Sequence, residues 1–284
     1  MNVAGVSRSR FAVALLAAIL FAGCVGQRAS PSVGSTGTVT AAPATPAAFE
    51  LTVLGAASLK GVLDKAKAAY AAANPGTTLA ISTDSSAALE TQIEQGAPAD
   101  VFLSADTKNA QALLDKGFAS GPLLPFAGNE LTIIVPRDNP GGVASPADLA
   151  KDGVDVIAAG DEVPISRYAG QLVDNLAKQP GYPADFAARY AANVVSKEDN
   201  VKAIVGKIEL GQGDAGIVYV TDAAASTKVT TIDVPPGANV PATYAGVVVK
   251  ASTNQDAAKA FLTWLAGPGG QAILGGFGFL PPAG

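Results

Sequence analysis

Short apolar runs and helically spaced apolar positions alternate along most of the chain. Residues 51–54 form an apolar run, and apolar side chains then recur at helical spacing from Leu59 to Tyr70, before an Asn-Pro-Gly turn at 74–76. The first pattern predicts a strand, and the second predicts a helix that the turn ends. One β-α unit therefore opens the body of the protein.

The same alternation continues for the rest of the chain. Further strands are predicted at 78–82, 101–104, 131–135, 154–158, 194–195, 215–220 and 244–250. Further helices are predicted at 87–95, 108–116, 167–178, 185–190, 201–210 and 256–266. Repeated β-α alternation indicates parallel sheets covered by helices on both faces. Because there are too many strands for one sheet of usual size, we predict an α/β fold with two lobes and a chain that crosses between them.

The first 24 residues have the pattern of an export signal. Arg8 and Arg10 precede an apolar stretch, 11–22, that is too short to span a bilayer comfortably. Phe21-Ala22-Gly23-Cys24 follows and resembles a bacterial lipobox, with Phe where Leu is usual. We therefore predict a lipoprotein signal peptide at 1–24 with lipidation of Cys24. An ordinary signal peptide cut nearby, which would leave a secreted protein, is the alternative.

Residues 25–48 consist largely of Ser, Thr, Pro, Ala and Gly. Such a segment cannot bury enough apolar surface to fold, which predicts a flexible tether and a folded body that begins near Phe49. The predicted location is extracytoplasmic, with the protein anchored to the cell membrane through lipidated Cys24.

The composition excludes several classes of function. The 284 residues include no histidine and one cysteine, so a Ser-His or Cys-His nucleophile pair and a His- or Cys-rich zinc site are excluded. Charged residues make up 15% of the chain and the net charge is -5, which argues against the basic surface that nucleic acid requires. Paired-carboxylate chemistry is still compatible with the composition.

Three positions of chemical interest stand where predicted strands pass into helices. Ser58 follows the first strand, Ser86 opens the second helix, and Val201 opens a later one. Since helix N-termini expose unpaired N–H groups and a partial positive charge, such junctions favour the binding of an anion.

The polar side chains at such junctions also have an ordinary structural explanation. A serine at a helix start commonly caps a free N–H, although the reciprocal capping box is missing, because Gly61 and Leu89 stand three residues after Ser58 and Ser86. Tyr219 lies at the carboxyl end of an apolar strand, where ligands of α/β sheets gather. The alternative is that it is an ordinary tyrosine at the edge of the core.

Several segments together resemble the periplasmic molybdate-binding proteins of ABC transporters. In chain order they are VLGAASLKGVLD, SSAALETQIEQGAPADVFLSAD, EVPISRYAGQ, EDNVKAI, GDAGIVYVTDA and AFLTWLAGPGGQAILGGFGF. The resemblance runs from Leu51 to Phe279, and QGAPADVFLSAD with GDAGIVYVTDA is a specific pair.

The resemblance implies a type II periplasmic-binding-protein fold with two lobes. Each lobe would be a mostly parallel sheet flanked by helices. Lobe 1 is expected at 49–130 and 240–284, and lobe 2 at 131–239.

The resemblance also implies a solute-binding protein, not an enzyme, that holds molybdate or tungstate in the cleft between the lobes. The ligands it implies are the hydroxyls of Ser58, Ser86 and Tyr219 and the backbone N–H groups of Ile165 and Val201. No charged side chain, metal cation or cofactor takes part, and the implied partner is an ABC transporter permease. We expect a monomer and no nucleic-acid partner.

Two residues depart from the usual pattern of this family. Asp84 places a carboxylate beside the serine-rich turn, and because it would repel a dianion we expect it to face away from the cleft. Ile165 stands where a smaller residue can occur, which affects the shape of the pocket more than its chemistry.

Three other interpretations stay open. An enzyme could use two carboxylates from Asp106, Asp199 and Asp222, although these have explanations as helix caps and turn residues. A binding protein could carry sulfate, phosphate, ferric ion or an organic solute; ferric binders of this type pair adjacent tyrosines, whereas Tyr219 is flanked by valines. A sensor or adhesion lipoprotein would need no transport partner.

Overall fold

The computed structural model describes residues 49–282, so the predicted signal peptide, the tether and Cys24 lie outside the described residues. Within 49–282 the strands are β1 (Phe49–Ala56), β2 (Thr77–Asp84), β3 (Val101–Ser104), β4 (Ala119–Asn129), β5 (Leu131–Pro136), β6 (Val156–Ala159), β7 (Val194–Glu198), β8 (Ala215–Tyr219), β9 (Val229–Ile232) and β10 (Ala242–Val249).

Helices follow most of these strands. They are α1 (Lys60–Ala73), α2 (Ser86–Glu94), α3 (Thr107–Asp115), α4 (Pro164–Leu176), α5 (Phe186–Ala192), α6 (Val201–Glu209), α7 (Val220–Ala224), α8 (Gln255–Ala266) and α9 (Pro268–Gly276). Two short 3-10 helices span Ala57–Leu59 and Pro146–Ala150. No helix in the described part of the chain is both long and apolar enough to cross a membrane.

The strands form two five-stranded sheets flanked by helices. The first sheet has the order β2-β1-β3-β10-β4, and the second has the order β7-β6-β8-β5-β9. β1 is parallel to β2 and β3, and β6 is parallel to β7 and β8, as the β-α alternation predicts.

Both sheets are more mixed than the sequence predicted. β10 runs antiparallel to β3 and β4, and β5 runs antiparallel to β8 and β9. Both strands enter their sheets from the other sheet, not through a β-α-β crossover. The rule that makes the strands of such a unit parallel therefore does not apply to them.

The chain passes between the sheets twice. It leaves the first sheet after β4, at Glu130, and returns between the end of β9 and the start of β10. The predicted lobe boundaries, 130/131 and 239/240, fall in these two connections. That each sheet belongs to a separate lobe stays a prediction.

The core packs helix faces against the sheets. α1 buries Val62, Leu63, Ala66 and Tyr70, which share one face of the helix. The Tyr70 ring meets the rings of Phe261 and Trp264 of α8 edge-on, at centroid distances of 5.0 and 5.1 Å. This cluster joins the first β-α unit to the C-terminal part of the chain.

The sequence patterns missed β4, β9, α7 and α9. β4 contains Gly121, Pro122 and Pro125, residues that are depleted in strands, and its position at the edge of the first sheet explains why they are tolerated. α9 begins with Pro268 and contains several glycines. Because these residues are unfavourable in helix interiors, the sequence pattern did not predict a helix directly after α8.

The start of α4 also differs from the predicted 167–178. The helix begins at Pro164, three residues earlier, because proline fits the first helical position, where no N–H is needed. Ile165 therefore lies in the first turn of the helix, where its N–H has no partner within the helix.

Candidate functional site

A small cavity lies where elements of both sheets meet. Its accessible volume is about 10 Å³, and it is lined by Ala56, Ala57, Ser58, Ser85, Ser86, Ala105, Val163, Pro164, Ile165, Asn200, Val201 and Tyr219. The structure thus brings all of the predicted site residues of the folded body together: Ser58, Ser86, Ile165, Val201 and Tyr219. None of these lining residues carries a charged side chain.

These residues lie at the starts of three helices and at or just after the ends of two strands. β1 ends at Ala56 and passes into the 3-10 helix that carries Ser58, and β8 ends at Tyr219. The helices α2, α4 and α6 begin at the cavity, and their N-termini contribute a partial positive charge without any cationic side chain.

The serine that caps α2 is Ser85, not Ser86. The Ser85 Oγ accepts the N–H of Ala88 at 3.2 Å. The Ser86 Oγ instead accepts the N–H of Ala105 at 3.0 Å. Because the Ser86 oxygen accepts this bond, its own hydrogen is left to donate into the cavity.

The hydroxyl of Ser58 is also not engaged in capping. No side chain caps the 3-10 helix at Ala57–Leu59. The Ser58 Oγ lies 2.9 Å from the Tyr244 hydroxyl, and both side chains are buried. Ser58 therefore contacts the cavity on one side and a buried tyrosine on the other.

Tyr219 has a buried hydroxyl that makes no hydrogen bond with any described residue. Its side chain is 1% exposed. Burial, with smaller contributions from Tyr244, Tyr168 and Asp222, raises the pKa of Tyr219 well above its ordinary value, so the phenol keeps its proton and acts as a donor. A buried donor without an acceptor costs about 1–3 kcal/mol of stability, and an acceptor bound in the cavity would remove this cost.

Two backbone N–H groups complete the donor set. Pro164 has no N–H, so Ile165 supplies the first one of α4, and Val201 supplies the first one of α6. Neither N–H donates to another described residue. Asn200 caps α6 by accepting the N–H of Ala203 at 3.1 Å.

Asp84 does not line the cavity. Its Oδ1 accepts the N–H of Ser85 at 2.7 Å and lies 3.4 Å from the side-chain nitrogen of Asn200. The carboxylate is thus engaged by Ser85 and Asn200, two residues that line the cavity, but it does not line the cavity itself.

The carboxylates considered for an enzyme do not form a pair at the cavity. Asp106 caps α3 by accepting the N–H of Asn109 at 2.9 Å, and the buried Asp222 pairs with Lys202 at 2.8 Å. Asp199 is exposed and lines a wider groove outside the cavity. In residues 49–282 no cluster of acidic or cysteine side chains could hold a metal ion.

Comparisons with known proteins point to one family. Residues 51–280 match the family described as bacterial extracellular solute-binding protein. The chain belongs to this family of bacterial extracellular solute-binding proteins. The Mycobacterium tuberculosis protein named molybdate-binding protein ModA is 32% identical over 269 residues, which cover 94% of this chain and 97% of that protein.

Two further solute-binding relatives support the assignment. The molybdate-binding protein ModA of Haemophilus influenzae is 29% identical over 243 residues, 82% of this chain and 91% of that protein. The structure of the Azotobacter vinelandii periplasmic molybdate-binding protein matches with a TM-score of 0.70 at 26% identity, covering 82% of this chain and 100% of that chain. These matches confirm the predicted type II periplasmic-binding-protein fold.

In this solute-binding protein, polar contacts join the two sheets beside the cavity. Asp106 follows β3 of the first sheet, and its carboxylate forms an ion pair with Arg167, on α4 of the second. The Asp106 side chain is 4% exposed and that of Arg167 is 27% exposed, so water screens the pair only in part. The contact between Asp84 and Asn200 bridges the sheets in the same way.

Sequence reasoning missed two buried residues behind the cavity. Tyr244 lies in β10 and contacts Ser58, and Asn129 ends β4 and contacts Tyr244 and Thr221. A polar side chain within an apolar strand was the only signal for Tyr244. Asn129 gave no signal, because β4 itself was not predicted.

We expect Arg167→Gln to lower the free energy of unfolding by about 1–3 kcal/mol, because Asp106 would keep a buried carboxylate without its cation. Thermal unfolding measures this change. Arg189→Gln is the matched control, since Arg189 forms an exposed pair with Asp185 on the surface and should change the midpoint little. Equal midpoints for the two variants would show that the pair between Arg167 and Asp106 does not hold the sheets together.

Proposed function

We propose that this protein captures molybdate or tungstate in the cavity and delivers it to an ABC importer. The observation that carries the proposal is the buried hydroxyl of Tyr219, unpartnered within 49–282, in a cavity whose lining offers further donors and whose lining residues carry no charged side chain. Relatives named as molybdate-binding proteins support the choice of ligand.

The size of the cavity favours a small ion. Pockets for drug-sized ligands are usually about 300 Å³ or larger, whereas the accessible volume of this cavity is about 10 Å³. A sugar or a nucleotide would need a wide separation of the two sheets. A single tetrahedral oxyanion needs much less room and offers acceptor oxygens in all directions.

The chemistry of the lining favours a fully deprotonated anion. The hydroxyls of Ser58, Ser86 and Tyr219 and the N–H groups of Ile165 and Val201 can all donate, and no carboxylate from residues 49–282 lines the cavity. Molybdate, tungstate and sulfate carry no proton at neutral pH, so each of their oxygens can accept. Phosphate keeps one proton, which would be left without an acceptor.

Neutral donors also avoid a specific cost. A buried cationic side chain would be unpaired whenever the site is empty, and burying an unpaired charge costs desolvation free energy. The helix N-termini and hydroxyls present positive ends of dipoles without that cost. The Arg167 guanidinium is held by Asp106, outside the lining of the cavity.

The remaining parts of the proposal concern location and partners. We propose that the mature protein is a lipoprotein attached through Cys24, with 25–48 as a tether, and that the body acts as a monomer. The permease of an ABC transporter would receive the ion when the two sheets separate.

Substitution of a proposed ligand should weaken binding without unfolding the protein. Hydrogen bonds to a charged group contribute about 1.5–3 kcal/mol, so we expect Ser58→Ala or Ser86→Ala to weaken molybdate binding about tenfold or more. Titration calorimetry measures the affinity. Ser252→Ala is the matched control, because this serine bonds Asp100 and Asn254, away from the cavity. Unchanged affinity in both ligand variants, with lowered stability, would assign these serines a structural role only.

The donor-only lining predicts an order of affinity. Molybdate and tungstate should bind far more tightly than sulfate, whose smaller size leaves longer bonds, and phosphate should bind most weakly. The unsatisfied P–OH alone costs about 1–3 kcal/mol. Calorimetry at pH 7.5 on residues 49–284 measures the order. Phosphate that binds as tightly as molybdate would mean that an acceptor such as Asp84 reaches the site.

The lipid anchor is tested separately on the full-length protein. We expect the wild type to enter the detergent phase of a phase-separation extract, and Cys24→Ser to stay in the aqueous phase, because the variant lacks the thiol that carries the lipid. Wild-type protein in the aqueous phase would show that Cys24 is not lipidated and that the protein is released.

A further inference from the structure

A buried chain of polar groups stands behind Ser58. The Tyr244 hydroxyl lies 2.9 Å from the Ser58 Oγ and 3.5 Å from the side-chain nitrogen of Asn129. Tyr244 is 0% exposed and Asn129 is 1% exposed, so water does not compete for these bonds. Neither residue lines the cavity.

The direction of the hydrogen bonds in this chain is set at Asn129. The Asn129 Oδ1 accepts the N–H of Glu130 at 3.0 Å, which turns the amide nitrogen toward Tyr244 and toward Thr221, whose Oγ1 lies 2.9 Å away. An amide NH₂ group can only donate. The Tyr244 oxygen therefore accepts from Asn129. Although this contact is long, at 3.5 Å, the Tyr244 hydrogen cannot point at the amide nitrogen, because that nitrogen carries only donor hydrogens.

The Tyr244 hydrogen has one remaining partner among the described residues, the Ser58 Oγ. Ser58 accepts this bond, so its own hydrogen points away from Tyr244 and into the cavity. A donor whose oxygen accepts a hydrogen bond is also strengthened by polarisation. Ser58 is thus ordered as a donor by a residue that does not line the cavity.

The chain begins where the two sheets are connected. Asn129 is the last residue of β4, directly before the passage to the second sheet, and its partner Thr221 lies in α7, after β8. Tyr244 lies in β10, the strand with which the chain returns to the first sheet. The ordering of Ser58 therefore depends on the groups at the connection between the sheets.

We propose that Asn129 and Tyr244 are positioning residues that fix the direction of the Ser58 hydroxyl and thereby make the site select unprotonated oxyanions. The inference rests on the proposed oxyanion-binding function. A purely structural role for Tyr244 would require only that its buried hydroxyl find some partner. Such a role predicts no change in the preference between anions.

Asn129→Asp tests the direction directly, at an alkaline pH above the pKa of the introduced carboxyl, which burial raises. The second carboxylate oxygen replaces the donor with an acceptor, so Tyr244 turns its hydrogen toward Asp and accepts from Ser58. Ser58 then presents a lone pair to the cavity. We expect the ratio of phosphate to molybdate affinity to rise about tenfold or more. Because both ions are mainly dianions at this pH, the added charge weakens both alike and cancels in the ratio.

Tyr244→Phe is the second variant and decides the question if Asn129→Asp does not fold. It removes the donor to Ser58 and leaves the ring in place, so molybdate affinity should fall about fivefold or more, and phosphate affinity should fall less. The matched control is Tyr70→Phe, because Tyr70 is also buried but packs against Phe261 and Trp264, away from the cavity. It should leave both affinities within about twofold of the wild type.

The results separate the two proposals. Wild-type protein that binds no oxyanion would overturn the proposed function itself. Wild-type protein that binds molybdate, with an unchanged anion ratio in folded Asn129→Asp, or with a Tyr244→Phe variant that behaves like Tyr70→Phe, would leave the function standing and overturn the positioning role.

Discussion

The structure depends on one constraint: hydrogen-bond donors are buried at a point where residues 49–282 supply no acceptor for them. Tyr219 keeps its proton because burial raises the pKa of its hydroxyl, and that hydroxyl has no partner within 49–282. Each such donor costs about 1–3 kcal/mol when it is left unpaired. Under the proposed function, an anion with several acceptor oxygens would remove this cost at Tyr219 and would accept from the other donors as well.

The fold explains how neutral groups can provide this environment. Two five-stranded sheets each present strand ends and helix starts to the same small volume, and the charged side chains nearby are engaged elsewhere. Under the proposed function, such a site would discriminate between anions by their size and by whether they carry a proton. A site built from lysine or arginine would attract any anion, since Coulomb attraction depends on charge and distance only.

Sequence reasoning found the parts of this arrangement that have local signals. Ser58, Ser86, Val201 and Tyr219 stand at strand-helix junctions, and apolar periodicity marked most elements of both sheets. β4 was missed because its prolines are tolerated only at a sheet edge, a property of the tertiary structure. Ser85 caps α2 through a contact with Ala88, three residues later, which is within reach of a local sequence pattern. Tyr244 contacts Ser58, 186 positions away in the chain, and no local pattern can predict such a contact.

A crystal structure of residues 49–284 grown with molybdate tests most directly whether the anion is held by neutral donors alone. Anomalous scattering at the molybdenum edge locates the ion without reference to the protein. The account predicts one ion in the cavity, with oxygens within hydrogen-bond distance of the Ser58, Ser86 and Tyr219 hydroxyls and of the Ile165 and Val201 N–H groups. An ion that contacts the guanidinium of Arg167 or the ammonium of Lys202, or one that lies outside the cavity, would contradict it.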